Sequence, residues 1–264
     1  MATKIAIHGA AGRMGQRLIA LGVADPNIEI VGAIDSATHP ATGVDAGIMA
    51  GVGEIGITVG AELPDQVDAV IDFSVPQAVV AISKQCCQHH VPVVLATTGL
   101  SDQEQDQLNT AAESIALCQA PNMSLAVNLL MKLSEVAGNA LAKHPTGADV
   151  EILERHHRFK EDAPSGTALA FGQIIAQAMG QSRHQHGREG RPGQRPHEEI
   201  GYHAIRTGDN PGEHTILFGL LGETIELRVA ATSRDCYAQG ALVAAQWLVG
   251  KPPGKYDISD VLGL

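Results

Sequence analysis

Three glycines that directly follow the first apolar run constrain the fold of this chain most strongly. The run 3–8 alternates and contains β-branched residues, which predicts a buried strand. Gly9, Gly12 and Gly15 follow it, and the apolar periodicity of 14–23 predicts a helix. Such a turn lets the backbone approach a pyrophosphate and directs the helix N-terminus toward it. The segment therefore predicts the first strand and helix of a dinucleotide-binding domain.

Strand-like runs and helical stretches alternate through the first half of the chain. The predicted strands are 28–34, 69–73, 91–96 and 115–118, and the predicted helices are 77–88 and 102–112. This rhythm is typical of a parallel sheet with helices on both faces. We therefore predict an α/β protein whose N-terminal domain, residues 1–124, is a Rossmann-like doubly wound parallel sheet.

The pattern changes after residue 124, and a second domain is expected over 125–234. A long apolar-periodic helix is predicted over 125–141, and a new strand begins at Asp149. Further strand-like runs at 202–206, 215–220 and 224–229 are separated by glycine-containing turns. We predict an α+β domain with an antiparallel or mixed sheet, followed by a C-terminal helix over 237–249.

An acidic residue ends the second predicted strand. Asp35 lies 20 residues after Gly15, where a carboxylate can accept hydrogen bonds from the adenosine ribose. A solvated acid at a strand end is the alternative. Because Ser36 rather than an arginine follows, the sequence favours NADH over NADPH, although Arg13 or His39 could still contact a 2′-phosphate.

Other candidate cofactor contacts come from the turns that close later strands, since ligands of such sheets bind outside the carboxyl ends of the strands. The predicted cofactor-binding residues are Gly9, Ala10, Ala11, Gly12, Arg13, Met14, Asp35, Ala96, Thr97, Thr98, Ala120, Pro121, Asn122 and Met123. Asn122 can hydrogen-bond a ribose or carboxamide, or it can cap the helix that follows. Both interpretations stay open at this point.

The densest polar segment of the chain is 154–167, which predicts the catalytic site. His156, His157 and Lys160 supply positive charge for an anionic substrate and a group that titrates near neutral pH for proton transfer. Ser165, Gly166 and Thr167 precede a predicted helix over 168–179, and a helix start offers N–H groups to a carboxylate. Capping by Ser165 or Thr167 could coexist with that role.

The charge balance bears on the partners of the chain. It carries 29 acidic and 18 basic residues, a formal net charge of −11, which disfavours nucleic acid and anionic membranes. No apolar stretch reaches the roughly 20 residues of a membrane span and no signal-peptide pattern is present, so a cytoplasmic protein is expected. The basic segment 183–197 contains prolines and glycines and is predicted to be a surface loop.

The cysteines do not predict a disulfide framework. Cys86, Cys87, Cys118 and Cys236 lack its density and spacing and are interpreted as reduced thiols. The segment 86–90, Cys-Cys-Gln-His-His, could suggest a metal site, but it has no second ligand pair at zinc-like spacing. We interpret it as a helix end and predict no metal site.

Several of these motifs together resemble one enzyme family, the bacterial dihydrodipicolinate reductases, also called 4-hydroxy-tetrahydrodipicolinate reductases. The resemblance rests on residues 9–15, Thr97-Thr98-Gly99, Asn122 with Ser124 and Asn128, and above all the run 154–168. It implies NAD(P)H-dependent reduction of a cyclic dicarboxylate in lysine and diaminopimelate biosynthesis. It also implies an N-terminal domain completed by 235–264 and a central domain, 125–234, that binds substrate and forms a homotetramer.

The resemblance also implies roles for single residues. His156 would be the proton donor or acceptor and Lys160 a second proton donor, while His157, Gly166 and Thr167 would hold a substrate carboxylate. Two positions depart from the family pattern, since Ser36 replaces an arginine and Ala96 replaces a glycine. Two rivals remain: a dehydrogenase acting on an amino or keto acid, which does not need the 154–167 segment, and a dinucleotide sensor without turnover.

Overall fold

The computed structural model describes the whole chain, Met1 to Leu264, as two compact units. The first unit comprises residues 1–125 and 235–264, and the second comprises 126–234. The first contains one seven-stranded sheet and the second one five-stranded sheet. The predicted boundary follows residue 124, and the family resemblance implies that residues 235–264 complete the first domain.

The first unit is an α/β layer structure. Its strands are β1 (Thr3–His8), β2 (Ile28–Ile34), β3 (Val59–Gly60), β4 (Ala69–Asp72), β5 (Val93–Leu95), β6 (Ala116–Gln119) and β12 (Gly254–Tyr256). Its helices are α1 (Arg13–Ala24), α2 (Ala46–Ala50), α3 (Pro76–His89), α4 (Asp102–Ala111), α7 (Asp235–Leu248) and α8 (Ile258–Leu262). The helix α5 (Leu125–Leu141) starts at Leu125, the last residue of the first segment of this unit, and continues into the second unit.

All seven strands of this sheet run parallel, in the order β12-β6-β5-β4-β1-β2-β3. Side chains alternate between its faces: Ile5 and Ile7 join the core that contains α1 and α7, and Ala6 joins the core that contains α3 and α4. Apolar packing on both faces explains why these strands are short continuous apolar runs. The predicted doubly wound parallel sheet is confirmed.

The glycine turn after β1 is held by close backbone approaches. Gly9 has φ +76°, and a Cβ at this position would lie 2.5 Å from the carbonyl oxygen of Phe73. A Cβ on Gly15 would lie 2.2 Å from the carbonyl oxygen of Gly9. Any side chain at either position would collide with the backbone, so both residues must be glycine. Their close approach brings α1 directly against the end of β1.

The second unit combines a mixed sheet with two helices. Its strands are β7 (Asp149–His156), β8 (Arg183–His186), β9 (Glu199–Arg206), β10 (Glu213–Leu220) and β11 (Glu223–Ala230), in the order β11-β10-β7-β9-β8. β10 is antiparallel to β7 and β11, whereas β7 and β8 are parallel to β9. α6 (Gly166–Met179) and α5 contribute Phe171 and Val127 to a core with Val150 and Ile152. The predicted α+β character is confirmed.

The interpretation of 183–197 as a surface loop was wrong for its first four residues, which form β8 and pair with β9. Three of its four arginines also form ion pairs. Arg188 lies 2.5 Å from Glu151 and 2.6 Å from Glu199, and Arg195 lies 2.7 Å from Asp149. Glu151 and Asp149 are more than 30 residues away from these arginines, so the local sequence pattern did not predict these two pairings.

The segment 86–90 ends a helix, as predicted. α3 stops at His89, and His90 adopts φ 54° and donates its backbone N–H to the helix end. Cys86 packs in the core of the first unit. None of the helices combines the length and the hydrophobicity that a membrane-spanning segment requires.

Substitution of Gly9 by alanine tests the glycine turn. Gly9→Ala is expected to lower the free energy of unfolding by at least about 2 kcal/mol, because the residue must adopt a left-handed conformation and displace a backbone carbonyl. Urea denaturation measures the change. Gly60→Ala is the matched control, since a Cβ there meets open space. Equal destabilisation by both substitutions would contradict the steric argument.

Candidate active site

Asp35 lies directly against the glycine turn. Its Oδ2 accepts a hydrogen bond from the backbone N–H of Ala11 at 2.9 Å, and its Oδ1 accepts one from Ser36 at 2.8 Å. The carboxylate therefore stands beside the start of α1, where Gly12 is the N-cap and no side chain caps the helix. The uncapped N–H groups and the adjacent carboxylate fit the diphosphate and ribose of a dinucleotide.

A cavity of about 560 Å³ surrounds this turn. Gly9, Gly12 and Asp35 line it, together with Ser36 and His39. The predicted cofactor residues near it differ in exposure. Ala10 is buried in the core and Met14 is half-buried, whereas Arg13 is exposed.

A second cavity of about 660 Å³ lies at the carboxyl ends of β5 and β6. Thr97, Thr98, Ala120 and Pro121 line it, as does Tyr256 from β12. Seven of the fourteen predicted cofactor residues thus line one of the two cavities. Ala96 and Met123 line neither, and Met123 is buried in the core.

Asn122 acts on the local backbone. Its Oδ1 accepts a hydrogen bond from the N–H of Ser124 at 2.9 Å, just before α5 begins. This bond closes an Asx turn before the helix, because Ser124 precedes the first helical residue, and the capping interpretation stays a prediction. This bond uses one of the acceptor sites of the side-chain oxygen.

Sequence reasoning missed a buried polar network at the ends of β1, β4 and β5. Asp72 is fully buried, with its Oδ1 2.6 Å from His8 Nδ1. The hydroxyls of Ser74 and Thr97 donate to the same carboxylate, each at 2.5 Å. The hydroxyl of Thr97, predicted to face the cofactor, is therefore bonded to Asp72. A signal was available, because a polar residue ends each of the adjacent parallel strands β1 and β4.

The second unit brings Glu154 and His156 together at the end of β7. Alternate residues of this strand are buried, so both side chains point toward the same face. His156 Nδ1 lies 2.5 Å from Glu154 Oε2, and Arg206 makes two hydrogen bonds of 2.7 Å to the carboxylate, one to each oxygen. Bidentate arginine pairing of this kind fixes the orientation of a carboxylate.

The start of α6 is tied to the same carboxylate. The N–H of Ser165 donates to Glu154 Oε1 at 3.1 Å, and the Ser165 hydroxyl accepts from Ala168 as an N-cap. The hydroxyl is also 3.0 Å from His214 Nε2. Ser165 therefore caps the helix, as the sequence allowed, and Gly166, the first helical residue, faces open space.

His157 and Lys160 lie in the turn between β7 and α6, whereas Thr167 is the second residue of α6. Lys160 Nζ is 2.8 Å from Asp162 Oδ1, and this cation holds the pKa of Asp162 below its usual range. His157 Nε2 is 3.5 Å from Arg234, while its buried Nδ1 has no hydrogen-bond partner. Phe159 is exposed.

Two buried groups in this cluster have strongly shifted pKa values. Burial opposes ionisation of Glu154, but hydrogen bonds from His156 and Arg206 outweigh it and lower its pKa to about 2. Burial, together with the charge of His156, lowers the pKa of His214 to about 4. Glu154 is therefore ionised and His214 neutral at physiological pH.

His214 and Arg206 were not among the predicted site residues. His214 is opposite Glu154 in the β7–β10 register, and its ring centroid is 5.2 Å from that of His156. The sequence of β10 could have predicted the burial of His214, because it alternates with Ile216 and Phe218 on the face of the strand that points into the core. A polar residue at a core position indicates a functional or structural partner.

The neutral, buried state of His214 predicts a pH dependence of stability. The unfolded chain binds a proton at this residue near its ordinary pKa of 6.5, but the folded protein does so only near 4. Stability from this group is therefore lost as the pH falls through that window, by up to about 3 kcal/mol. Urea denaturation at several pH values should show a flatter profile for His214→Gln than for the wild type. Substitution of the exposed His89 by glutamine should leave the profile unchanged, and an equal flattening would contradict the assignment.

Comparison with known proteins gives a consistent result over the whole chain. Two family models match, described as dihydrodipicolinate reductase, N-terminus, over residues 3–123 and dihydrodipicolinate reductase, C-terminus, over residues 126–262. A 4-hydroxy-tetrahydrodipicolinate reductase of Rhodopirellula baltica is 57% identical, over 98% of this chain and 96% of that protein. One of Alkalilimnicola ehrlichii is 46% identical, over 100% of both chains.

Solved structures agree. A dipicolinate-bound dihydrodipicolinate reductase from Paenisporosarcina sp. TG-14 matches with a TM-score of 0.78 at 25% identity, covering 97% of this chain and 98% of that one. An amine dehydrogenase from Mycobacterium smegmatis has a TM-score of 0.63 at 12% identity, over 97% of this chain and 95% of that chain, which shows a shared fold alone. With family models covering both units and relatives of high identity over its full length, this chain belongs to the dihydrodipicolinate reductase family.

Proposed function

We propose that this chain reduces 4-hydroxy-tetrahydrodipicolinate to tetrahydrodipicolinate with NADH or NADPH, a step of lysine and diaminopimelate biosynthesis. The names of its relatives support the substrate. The observation that carries the proposal is the ionised Glu154 bonded to His156 beside the start of α6. This arrangement provides a proton-transfer group and an anion-binding helix start within one small cluster.

The reaction consumes one hydride and one proton and releases the 4-hydroxyl group as water. The dinucleotide, when bound, supplies the hydride. His156 acts as proton donor or acceptor and Lys160 as a second proton donor. Lys160 fits this role because its ammonium group is held by Asp162 in the same turn. Proton transfer by positioned groups of this kind contributes typically ~10²- to 10⁴-fold.

The substrate carboxylate binds at the start of α6. Gly166 and Thr167 offer first-turn N–H groups where the helix dipole favours an anion, and His157 adds a donor from the preceding turn. Ser165, which is 2% exposed, supports this anion site from behind by capping the helix. A small dicarboxylate is the proposed ligand of the second unit.

In the first unit, the uncapped start of α1 would hold the diphosphate of the dinucleotide and Asp35 would hold its adenosine ribose. The cavity around the glycine turn supports this placement. Thr97, Thr98, Ala120 and Pro121 line the other cavity and are proposed to contact the nicotinamide half. Ala10, Ala96 and Met123 can contribute only through the backbone or by packing.

A substitution at Asp35 tests the cofactor assignment. Asp35→Asn is expected to raise the Kd for NADH about tenfold, because a charged hydrogen-bond acceptor for the ribose hydroxyls is lost. The Kd for NADPH should not rise, because its 2′-phosphate gains from removal of the negative charge. Fluorescence titration with each dinucleotide gives the two constants, and Asp65→Asn, at an exposed site, is the control. An equal rise in the Kd of both dinucleotides would contradict the ribose contact and would mean that Asp35 only stabilises the glycine turn.

A substitution at Lys160 separates substrate chemistry from cofactor binding. Lys160→Ala is expected to lower kcat/KM about 10²-fold, because a proton donor and a cation near the substrate are lost. The Kd for NADH should not change. Steady-state kinetics and dinucleotide titration measure the two quantities. Arg158→Ala, which removes an exposed cation from the same turn, is the matched control. Weaker NADH binding by Lys160→Ala would contradict the division of roles.

The function itself is tested by following oxidation of NADH and of NADPH separately, with substrate generated in place from pyruvate and aspartate semialdehyde by the preceding synthase. Turnover that depends on the synthase is expected with NADH. Turnover with an amino or keto acid but not with the synthase product would favour the rival dehydrogenase. Dinucleotide binding without any turnover would favour the sensor.

We propose further that the protein is a cytoplasmic homotetramer assembled through its second unit. The free thiols at Cys86, Cys87, Cys118 and Cys236 are typical of a reducing compartment. Ile205, Leu221 and Ile225, exposed on and beside strands of the second sheet, offer apolar surface for association. A monomer in light scattering would contradict the tetramer.

A further inference from the structure

Glu154 is a carboxylate whose hydrogen-bonding capacity is fully used. Its Oε2 accepts from His156 and from Arg206, and its Oε1 accepts from Arg206 and from the N–H of Ser165. An ionised carboxylate offers about four acceptor sites. The residue is 2% exposed, so the carboxylate is shielded from solvent.

The two oxygens of Glu154 serve different parts of the proposed active site. Oε2 faces the imidazole of His156, the proposed proton-transfer group. Oε1 faces the backbone at Ser165, one residue before the first N–H groups of the proposed anion site on α6. One rigid group therefore lies between the two elements that must act on the same substrate molecule.

Arg206 extends this arrangement to the turn that carries Lys160. Besides its two bonds to Glu154, Arg206 donates to the carbonyl oxygen of Asp162 at 2.6 Å. The carboxylate of Asp162 in turn lies 2.8 Å from Lys160 Nζ. Both proposed proton donors are thus connected to the Glu154–Arg206 pair, one directly and one through the turn.

We propose that Glu154, held by Arg206, is a positioning residue that sets the tautomer and ring orientation of His156 and, with its other oxygen, the start of the anion-binding helix. This inference rests on the proposed function. Glu154 does not touch the substrate. Because a carboxylate only accepts hydrogen bonds, His156 must carry a proton on Nδ1, which leaves Nε2 to exchange a proton with the substrate.

The chain contains a matched control for this role. Glu199 is also 2% exposed and lies at the opposite end of β9 from Arg206. It pairs with Arg188 at 2.6 Å and with Arg183 at 3.2 Å, but it has no histidine or helix start among its hydrogen-bond partners. Loss of either carboxylate removes a buried ion pair, whereas only loss of Glu154 should disturb His156.

The first test uses the unaltered protein. Nitrogen-15 NMR of labelled histidines, with the His156 signal assigned by the His156→Ala variant, reports which ring nitrogen carries a proton. The expected result is a protonated Nδ1, including at about pH 9, well above the ordinary histidine pKa. An unprotonated Nδ1 would overturn the proposal. This result does not depend on turnover, so it distinguishes failure of the positioning role from failure of the proposed function.

The second test compares Glu154→Gln with Glu199→Gln. The glutamine amide replaces one carboxylate oxygen by an N–H₂ group, which cannot accept a hydrogen bond from the donors at that position. Glu154→Gln is therefore expected to lower kcat about 10²-fold and to weaken the binding of dipicolinate, a planar dicarboxylate. Glu199→Gln should leave both nearly unchanged. Equal losses in the two variants would show a purely structural role for Glu154 and would overturn the proposal.

The third test places Glu154→Gln in a His156→Ala background. If Glu154 acts on proton transfer through His156, the second substitution should hardly change kcat once the imidazole is absent. It should still weaken dipicolinate binding, because the link to Ser165 is independent of His156. An equal fold-loss of kcat in both backgrounds would overturn the positioning of His156, and unchanged dipicolinate binding would overturn the link to the helix.

Discussion

Both units depend on the burial of a carboxylate at or near the end of an inner strand. Asp72 in β4 and Glu154 in β7 are excluded from water, and each would be strongly destabilising without donors. His8, Ser74 and Thr97 surround the carboxyl of Asp72. The carboxylate of Glu154 binds His156 of its own strand, Arg206 of β9 and the N–H of Ser165. The strand ends must therefore be held in a defined arrangement for these buried polar groups to be tolerated.

The same constraint prepares the second unit for chemistry. Because Glu154 is ionised and saturated with donors, the ring beside it is held without any contribution from substrate. Neutral His214 binds the Ser165 hydroxyl and limits the movement of the helix start. Groups held in place before substrate binds lose little entropy during the reaction, which is how rigid sites accelerate proton transfer.

Much of the fold and part of the candidate site could be predicted because their signals are local. The glycine spacing at residues 9–15 and the periodicity of apolar residues predicted the doubly wound sheet and the helix over 125–141. β12 and β8 were missed, since each is short and is stabilised by pairing with a distant strand. Arg206 and His214 were missed for a related reason, because their partner Glu154 is more than 50 residues away.

The sequence by itself determined the fold class and the chemical groups that the run 154–168 brings to the site, because turn geometry, strand alternation and that run are properties of neighbouring residues. Tertiary structure alone decided how those groups are used. In the folded protein Ser165 is buried and caps α6, and the Thr97 hydroxyl donates a hydrogen bond to Asp72. The physical reason is that a buried polar atom must find a partner, and the nearest one in space need not be near in sequence.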